Sequence, residues 1–169
     1  MKKTRDRGLD RTDRRILQVL QQNGRISNVE LAKQVHLTPT PCLERVRRLE
    51  REGYIRGYRA EIDPGKLGLT LTVFIQVRLD QTGLDIFDRF SEAVVAVPEI
   101  SECHMVPGAF DFLLKIRVPD IAGYRRFMAE HLPKLPGVVQ TYSHVVMEEV
   151  KADHGVPIEA YTATRVASE

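Results

Sequence analysis

Residues 24–53 read GRISNVELAKQVHLTPTPCLERVRRLEREG. Ser27-Asn28-Val29-Glu30 has the form of a capping box, in which the serine hydroxyl accepts from the Glu30 backbone and the glutamate reaches back to Ser27. A short helix follows, turning Leu31, Ala32 and Val35 inward. It cannot run far past His36, because Thr38-Pro39-Thr40-Pro41 lies ahead. A residue before proline is pushed out of the helical region. Proline itself fits a helix's first turn, where its missing N–H would have gone unpaired. A second helix therefore begins between Thr38 and Thr40 and runs to Glu52, with Gly53 stopping it.

That second helix is the informative one. At about 100° per residue, Cys42, Leu43, Val46 and Leu49 share one arc, while Thr40, Pro41, Glu44, Arg45, Arg47, Arg48 and Arg51 occupy the rest. Cys42 reads as a small core residue rather than a reactive thiol. Glu44 is placed to pair with Arg47 or Arg48, which leaves Arg45 and Arg51 available. Thr38 and Thr40 stand at the helix start, which can meet phosphate or base edges, and the arginines can reach phosphates and guanine acceptors. Two short helices joined by a tight turn, the second of them basic, describe a helix-turn-helix.

A further helix precedes the pair. Asp10 caps it, Asp13 lies in its first turn, and Leu9, Ile16, Leu17 and Leu20 form its apolar stripe. Asn23-Gly24 closes it as a left-handed pair. Charge supports the same reading. Residues 1–57 hold 14 basic and 7 acidic side chains, whereas residues 58–169 hold 11 and 16. A basic head on an acidic body suits a polyanion at the head. The basic start at residues 1–7 is followed by no apolar run, so it is no secretory signal, and nothing approaches a membrane span. The expectation is a cytoplasmic protein with no membrane partner. Cys42 and Cys103 form no CxxC pair, and no metal or disulfide framework is expected.

Downstream of the head, residues 54–62 alternate as a short strand, and residues 63–69, with Asp63-Pro64-Gly65, read as a hinge. Residues 71–79 then alternate, with Leu71, Val73, Ile75, Val77 and Leu79 on one face. Phe87, Phe90, Val94 and Val97 recur at helical spacing. A strand over 100–106 follows, then the turn Pro107-Gly108-Ala109, then a strand over 110–118 with Phe110, Phe112, Leu114, Ile116 and Val118 inward. Asp120 caps a second helix bearing Tyr124, Phe127, Met128 and Leu132, and a last strand runs from Val138 to about Val150. Strand–helix–strand occurs twice, the βαββαβ order of ferredoxin-like domains. One sheet face is left uncovered, with Phe74 and Leu113 on it, and is expected to pair with a second subunit. The tail beyond Lys151 has no apolar period and reads as partly without fixed structure or wrapped on a neighbour.

Catalysis finds no support. Glu102-Cys103-His104 is suggestive, but neighbours on a strand point to opposite faces, so thiol and imidazole cannot act together. There is no glycine-rich phosphate loop and no paired-histidine motif. The expectation is no enzyme, no catalytic residue and no cofactor. A DNA-compacting architectural protein is the alternative within DNA binding.

The helix-turn-helix stretch, together with Glu102-Cys103-His104, Lys115-Ile116-Arg117-Val118-Pro119-Asp120, Leu135-Pro136-Gly137-Val138 and Val145-Val146-Met147-Glu148-Glu149-Val150-Lys151, strongly resembles the Lrp/AsnC family of transcription regulators over residues 9–151. The resemblance implies an α+β protein, with a winged helix-turn-helix followed by a ferredoxin-like amino-acid-sensing domain. It implies a helix-turn-helix over 28–47, with Ser27, Asn28, Thr38, Thr40, Pro41, Arg45, Arg47, Arg48 and Arg51 toward double-stranded DNA. It implies a homodimer assembling to octamers on the nucleoid, acting as activator or repressor. An amino-acid effector such as leucine would sit between dimers against Gly108-Ala109-Phe110-Asp111, whose N–H groups can hold a carboxylate and whose Asp111 can orient an ammonium. Met105, Ile121, Val145 and Val146 would supply apolar surface nearby. Family members often carry a polar residue where this chain has Ala109, which bears on the choice of effector. The implied domains are residues 1–62, the hinge 63–69, residues 70–151, and a tail 152–169.

Overall fold

The computed structural model describes residues 8–80, 84–152 and 155–158. The basic start at 1–7 and the tail beyond Ile158 lie outside the described residues. The chain divides into two compact units, the described residues of Met1–Glu61 and Asp153–Glu169 in one and Ile62–Ala152 in the other. Head and body are taken separately.

The first helix, α1 (Arg11–Gln22), opens on a full capping box: Asp13 N–H donates to Asp10 Oδ1 at 2.7 Å, and Asp10 N–H donates back to Asp13 Oδ2 at 3.1 Å. Two of the helix's four unpaired N-terminal donors' worth of polarity is thus settled locally. The helix ends at Asn23 (φ −144°), not in the expected left-handed pair. At α2 (Asn28–Gln34), Ser27 Oγ accepts from Glu30 N–H at 3.2 Å, but the box is not reciprocal, because Glu30 turns to Lys33 at 3.5 Å. Among the described residues of the head, the one left-handed residue that is not glycine is His36 (φ 55°). It follows α2 directly, and Leu37 N–H bonds back to Ala32 O at 2.9 Å, a Schellman-type closure that turns the chain sharply into α3 (Pro39–Arg51).

Ile16, Val19, Leu31, Ala32, Val35, Cys42, Val46 and Leu49 form the head's core, with Leu9, Leu17 and Leu20 against it. Leu43, expected inward, is only half-buried and lies outside that cluster. Burial raises the Cys42 thiol above its ordinary value, consistent with a packing role. Residues 54–62 form no strand: alternation makes a strand only where a partner completes the ladder, and none of the described strands pairs with this stretch. The segment is held instead by Ile55 N–H on Leu49 O (3.1 Å) and by the Tyr58 hydroxyl on Glu50 Oε1 (3.0 Å).

In the body a single 3-10 turn, Gly65–Leu67, stands within the expected hinge. The body then runs β1 (Leu71–Leu79), α4 (Leu84–Val95), β2 (Ile100–Met105), β3 (Phe112–Val118), α5 (Ile121–Glu130) and β4 (Val138–Val145). The sheet is antiparallel throughout, in the order β2-β3-β1-β4. Val73, Ile75, Val77 and Leu79 of β1 and Phe112, Leu114, Ile116 and Val118 of β3 face Phe90 and Val94 of α4 and Phe127 of α5. Phe90 packs on Phe112 with ring centroids 4.5 Å apart.

Three expectations in the body are corrected. β3 starts at Phe112, so Phe110 is half-buried in the turn and outside the core, because Asp111 spends its backbone on Val77 O and Val106 N–H (2.9 Å each) at the strand's mouth. Leu132 lies in a separate 3-10 turn (Leu132–Lys134), where Pro133 follows it and α5 has already ended. β4 ends at Val145; beyond it, Val146 N–H still bonds Thr72 O (2.9 Å).

Among the described residues, Asp13 is the one carboxylate buried in the head's core, with 1% of its side chain exposed. Its Oδ1 accepts from Arg45 Nη1 at 2.7 Å and its Oδ2 from Arg48 Nη2, while Asp10 Oδ2 takes the same Arg45 nitrogen at 2.6 Å. Replacing Asp13 by Ala should cost the head about 3 kcal/mol, the scale for breaking a buried hydrogen-bonded ion pair. Urea unfolding of the full chain, followed through the head's transition, measures it; a loss below about 1 kcal/mol, the worth of an exposed pair, would show that the cluster does not hold α3.

Candidate nucleic-acid interface and effector site

The four arginines of α3 separate by helical phase. Arg45 and Arg48, three residues apart, share the face turned to α1 and are tied to Asp10 and Asp13. Arg48 also lies 4.0 Å from Glu52. Their side chains keep only 32% and 23% of their exposure. The expectation that Arg45 stays available while Glu44 engages Arg47 or Arg48 is therefore overturned; α1 supplies carboxylates that local spacing on α3 does not reveal. Arg45 is held more firmly protonated than usual, first by its hydrogen bonds to Asp10 and Asp13. For Asp10, burial works against the charged form, but the Arg45 hydrogen bond and the cap outweigh it and bring its carboxyl below the ordinary value.

Arg47 and Arg51, four residues apart, share a face about a third of a turn further round the helix, and both are exposed. Neither is ion-paired among the described residues; Arg51 Nη1 donates to the Arg47 carbonyl at 3.4 Å. At the helix start, Thr38 caps without its side chain, so its hydroxyl is not spent there, and Thr38, Pro39 and Thr40 are exposed, with Pro41 half-buried. Ser27 uses its hydroxyl as the cap of α2. Asn28 donates its amide to Pro39 O at 2.9 Å, joining the start of α2 to the start of α3, and its Oδ1 is buried without a partner. It is a brace between the two helices rather than a side chain presented outward.

Two residues of this surface were not anticipated. Asp13 read as an N-terminal charge, and only its distant partners reveal the anchor. Tyr58, 34 residues beyond Gly24 in sequence, lies where a Cβ on Gly24 would be 3.3 Å from its ring, so glycine lets the ring settle on the α1–α2 loop. Burial and the bond to Glu50 push the Tyr58 phenol up to about 12.

The residues expected at an effector site fall into two groups. Met105, Gly108, Ala109, Phe110 and Asp111 gather at the β2–β3 turn, beside the Val77 end of β1. Ile121, Val145 and Val146 lie at the other end of the sheet, where Val145 pairs with Val73 and Leu71 with Val118. The length of β3 separates them, roughly 20 Å at the rise of a strand. One chain therefore does not bring them into one pocket. Asp111 Oδ2 accepts from Leu79 N–H at 2.8 Å, so half of this carboxylate serves as a cap at the bulge between Arg78 and Leu79. Gly108 takes φ 156°, and Met105, Ile121 and Val145 are exposed. Val146 lines a cleft of about 290 Å³ with Thr72, Arg117 and Glu149.

On the sheet face away from the helices, Lys115 is buried over the Phe74 ring (5.8 Å), held by Glu102 Oε1 at 3.1 Å and approached by Glu149 at 3.9 Å. His104 lies 3.3 Å from Glu102. Burial alone would raise the Glu102 carboxyl, but Lys115 and His104 bring it below its ordinary value. Cys103 packs instead against the core, and burial raises its thiol. Thiol and imidazole stand on opposite faces. Among the described residues no group of three or more His, Cys, Asp or Glu could hold a metal ion, and no helix is long and apolar enough to cross a membrane.

Residues 9–56 match the family profile of winged helix-turn-helix DNA-binding domains, and residues 72–156 match that of the Lrp/AsnC ligand binding domain. The leucine-responsive regulatory protein of Escherichia coli K12 is 53% identical over 158 residues, spanning 94% of this chain and 96% of its own. That of Klebsiella pneumoniae gives the same figures. Among solved structures, a Neisseria meningitidis transcriptional regulator in complex with L-methionine superposes with a TM-score of 0.85 at 37% identity, covering 90% of this chain and 98% of its own. An AsnC family transcriptional regulator from Agrobacterium tumefaciens reaches 0.85 at 36% identity, over 89% and 97%. These relatives are regulators, not enzymes. The two profiles follow one another along the chain in the order of its two compact units, and the protein belongs to the Lrp/AsnC family of DNA-binding transcription regulators.

Proposed function

We propose that the head lays Arg47 and Arg51 on double-stranded DNA, with Thr38, Thr40 and Pro41 at the opening of α3 and the Ser27 end of α2 alongside. Arg45, Arg48 and Asn28 act behind that surface as positioning residues. The observation that carries this reading is the division of the α3 arginines: two are spent on α1, and two are exposed without a carboxylate partner among the described residues. Exposed guanidinium groups on a rigidly seated helix suit phosphate and guanine contacts. The place of action on this reading is the nucleoid, in the cytoplasm.

The effector on this reading is an amino acid, leucine or methionine being the first candidates, since relatives are named for response to one or were solved with the other. The turn at 108–111 offers backbone N–H groups to a carboxylate, and Asp111 Oδ1 remains toward an ammonium. Because Ile121, Val145 and Val146 stand at the far end of the same sheet, they would join this turn only from another copy. Assembly is thereby part of the site. A homodimer formed on the Phe74 and Leu113 face, associating further toward an octamer, supplies such copies.

Two measurements test the reading. Arg47→Ala should weaken operator binding and lower the log–log salt slope by about 1 without changing thermal stability, whereas Arg45→Ala should lower stability first. Operator affinity unchanged in Arg47→Ala at fixed salt would remove α3's outer face from the interface. Light scattering in the presence of leucine or methionine should show a change in assembly; a mass indifferent to every amino acid would contradict a site shared between copies.

A further inference from the structure

Gln21, exposed on the last turn of α1, spends both halves of its side-chain amide on one distant residue. Its Nε2 donates to Val156 O at 3.1 Å, and its Oε1 accepts from Val156 N–H at 3.0 Å. This is how a neighbouring strand would treat a peptide: both backbone groups are satisfied and the side chain is ignored. The segment so held belongs to the tail. The chain leaves the head at Glu61, builds the body over Ile62–Ala152, and its described tail residues, 155–158, group again with the head. The chain thus runs from one unit to the other twice, covalently at Glu61–Ile62 and, on the tail side, closed by the two hydrogen bonds of Gln21.

We propose that residues 155–158 are a strap, docked on α1 of the same chain through Gln21, and that this second passage transmits the state of the body to the DNA-binding head. A domain on a single linker reorients freely, since lengthening one loop costs little. Closing a second passage removes that freedom and makes the head's ordering answer to whatever orders the body. Gln21 lies outside the DNA surface assigned above, so loss of the strap leaves DNA binding itself intact. The transmission part rests on the amino-acid response proposed above; the docking does not.

Hydrogen exchange on the full chain tests the docking directly. In Gln21→Ala the Val156 amide should exchange several-fold faster than in the wild type. Gln21→Glu, which keeps an acceptor for the N–H but loses the donor to the carbonyl, should fall between. Alanine is a strong helix former at this exposed site, so α1 is retained; a chain ending at Ala152 serves as a second variant without any change in α1. The ratio of operator affinities with and without leucine or methionine should then fall toward one in Gln21→Ala and in the shortened chain, with the affinity in the absence of amino acid unchanged. Equal Val156 exchange in wild type and Gln21→Ala would overturn the docking, and protection that fades on dilution would assign it to a second copy and overturn it likewise. Faster exchange with an intact amino-acid ratio would overturn the transmission. A wild type that ignores amino acids strikes the effector reading and leaves the exchange result to decide the strap.

Discussion

The head depends on one buried charge. Asp13 sits in the apolar stripe of α1, where a carboxylate alone would be costly to desolvate, and it is admissible only because two guanidinium groups meet it there. It also closes the capping box with Asp10, so the group that starts α1 also seats α3. Apolar contacts such as Leu49 and Cys42 against Ile16 could tolerate small sliding. A carboxylate fixed by its own cap and by two forked donors specifies the angle and the phase of α3 much more narrowly. With Arg45 and Arg48 engaged by α1, helical phase sets Arg47 and Arg51 about a third of a turn further round, where both are exposed. The anchoring of two arginines on Asp13 thus fixes the phase at which the other two are displayed.

The fold was legible wherever burial imposed a period. β1 and β3 each bury every second side chain under two helices, and those faces are plain in the sequence from Val73 to Leu79 and from Phe112 to Val118. The two strand–helix–strand passes follow from them, as do the caps at Asp10, Ser27 and Asp120. Legibility ended where a pattern lacked its partner or where the partner was distant. Residues 54–62 alternate like a strand, but a ladder needs a second strand. Phe110 continues the alternation of β3 on paper, yet the Asp111 backbone is already turned to Val77 and Val106. Leu43 falls on the inward arc by angle, but the arc is wider than the cleft it faces.

The DNA surface was half legible for the same reason. The motif located α3 and its basic face, since capping chemistry and proline leave local marks. Which arginines are free depends on residues 32 to 35 positions away, and no spacing rule on α3 reports them. The effector residues show a related limit. The resemblance placed eight residues at one site, and the sheet register then put the turn at 108–111 and the Val145 region at opposite ends of the same strands. Sequence order does not say that two groups of residues stand at opposite ends of one sheet.

That separation has a thermodynamic consequence. On the proposed reading the ligand site is completed by two copies and absent from the single chain, so ligand binding and assembly are linked, and each favours the other by the same factor. The DNA surface contains none of the proposed effector residues, so no amino acid can act on it by direct contact. On that reading its influence reaches the head through assembly or through the chain itself. The chain offers the passage near Ile62 and, where Gln21 holds Val156, one more. The seating of α3 on Asp13 is the part least open to such influence, since that carboxylate is buried with both oxygens held by arginine. On the proposed reading, regulation of DNA affinity therefore acts outside the contacts that seat α3.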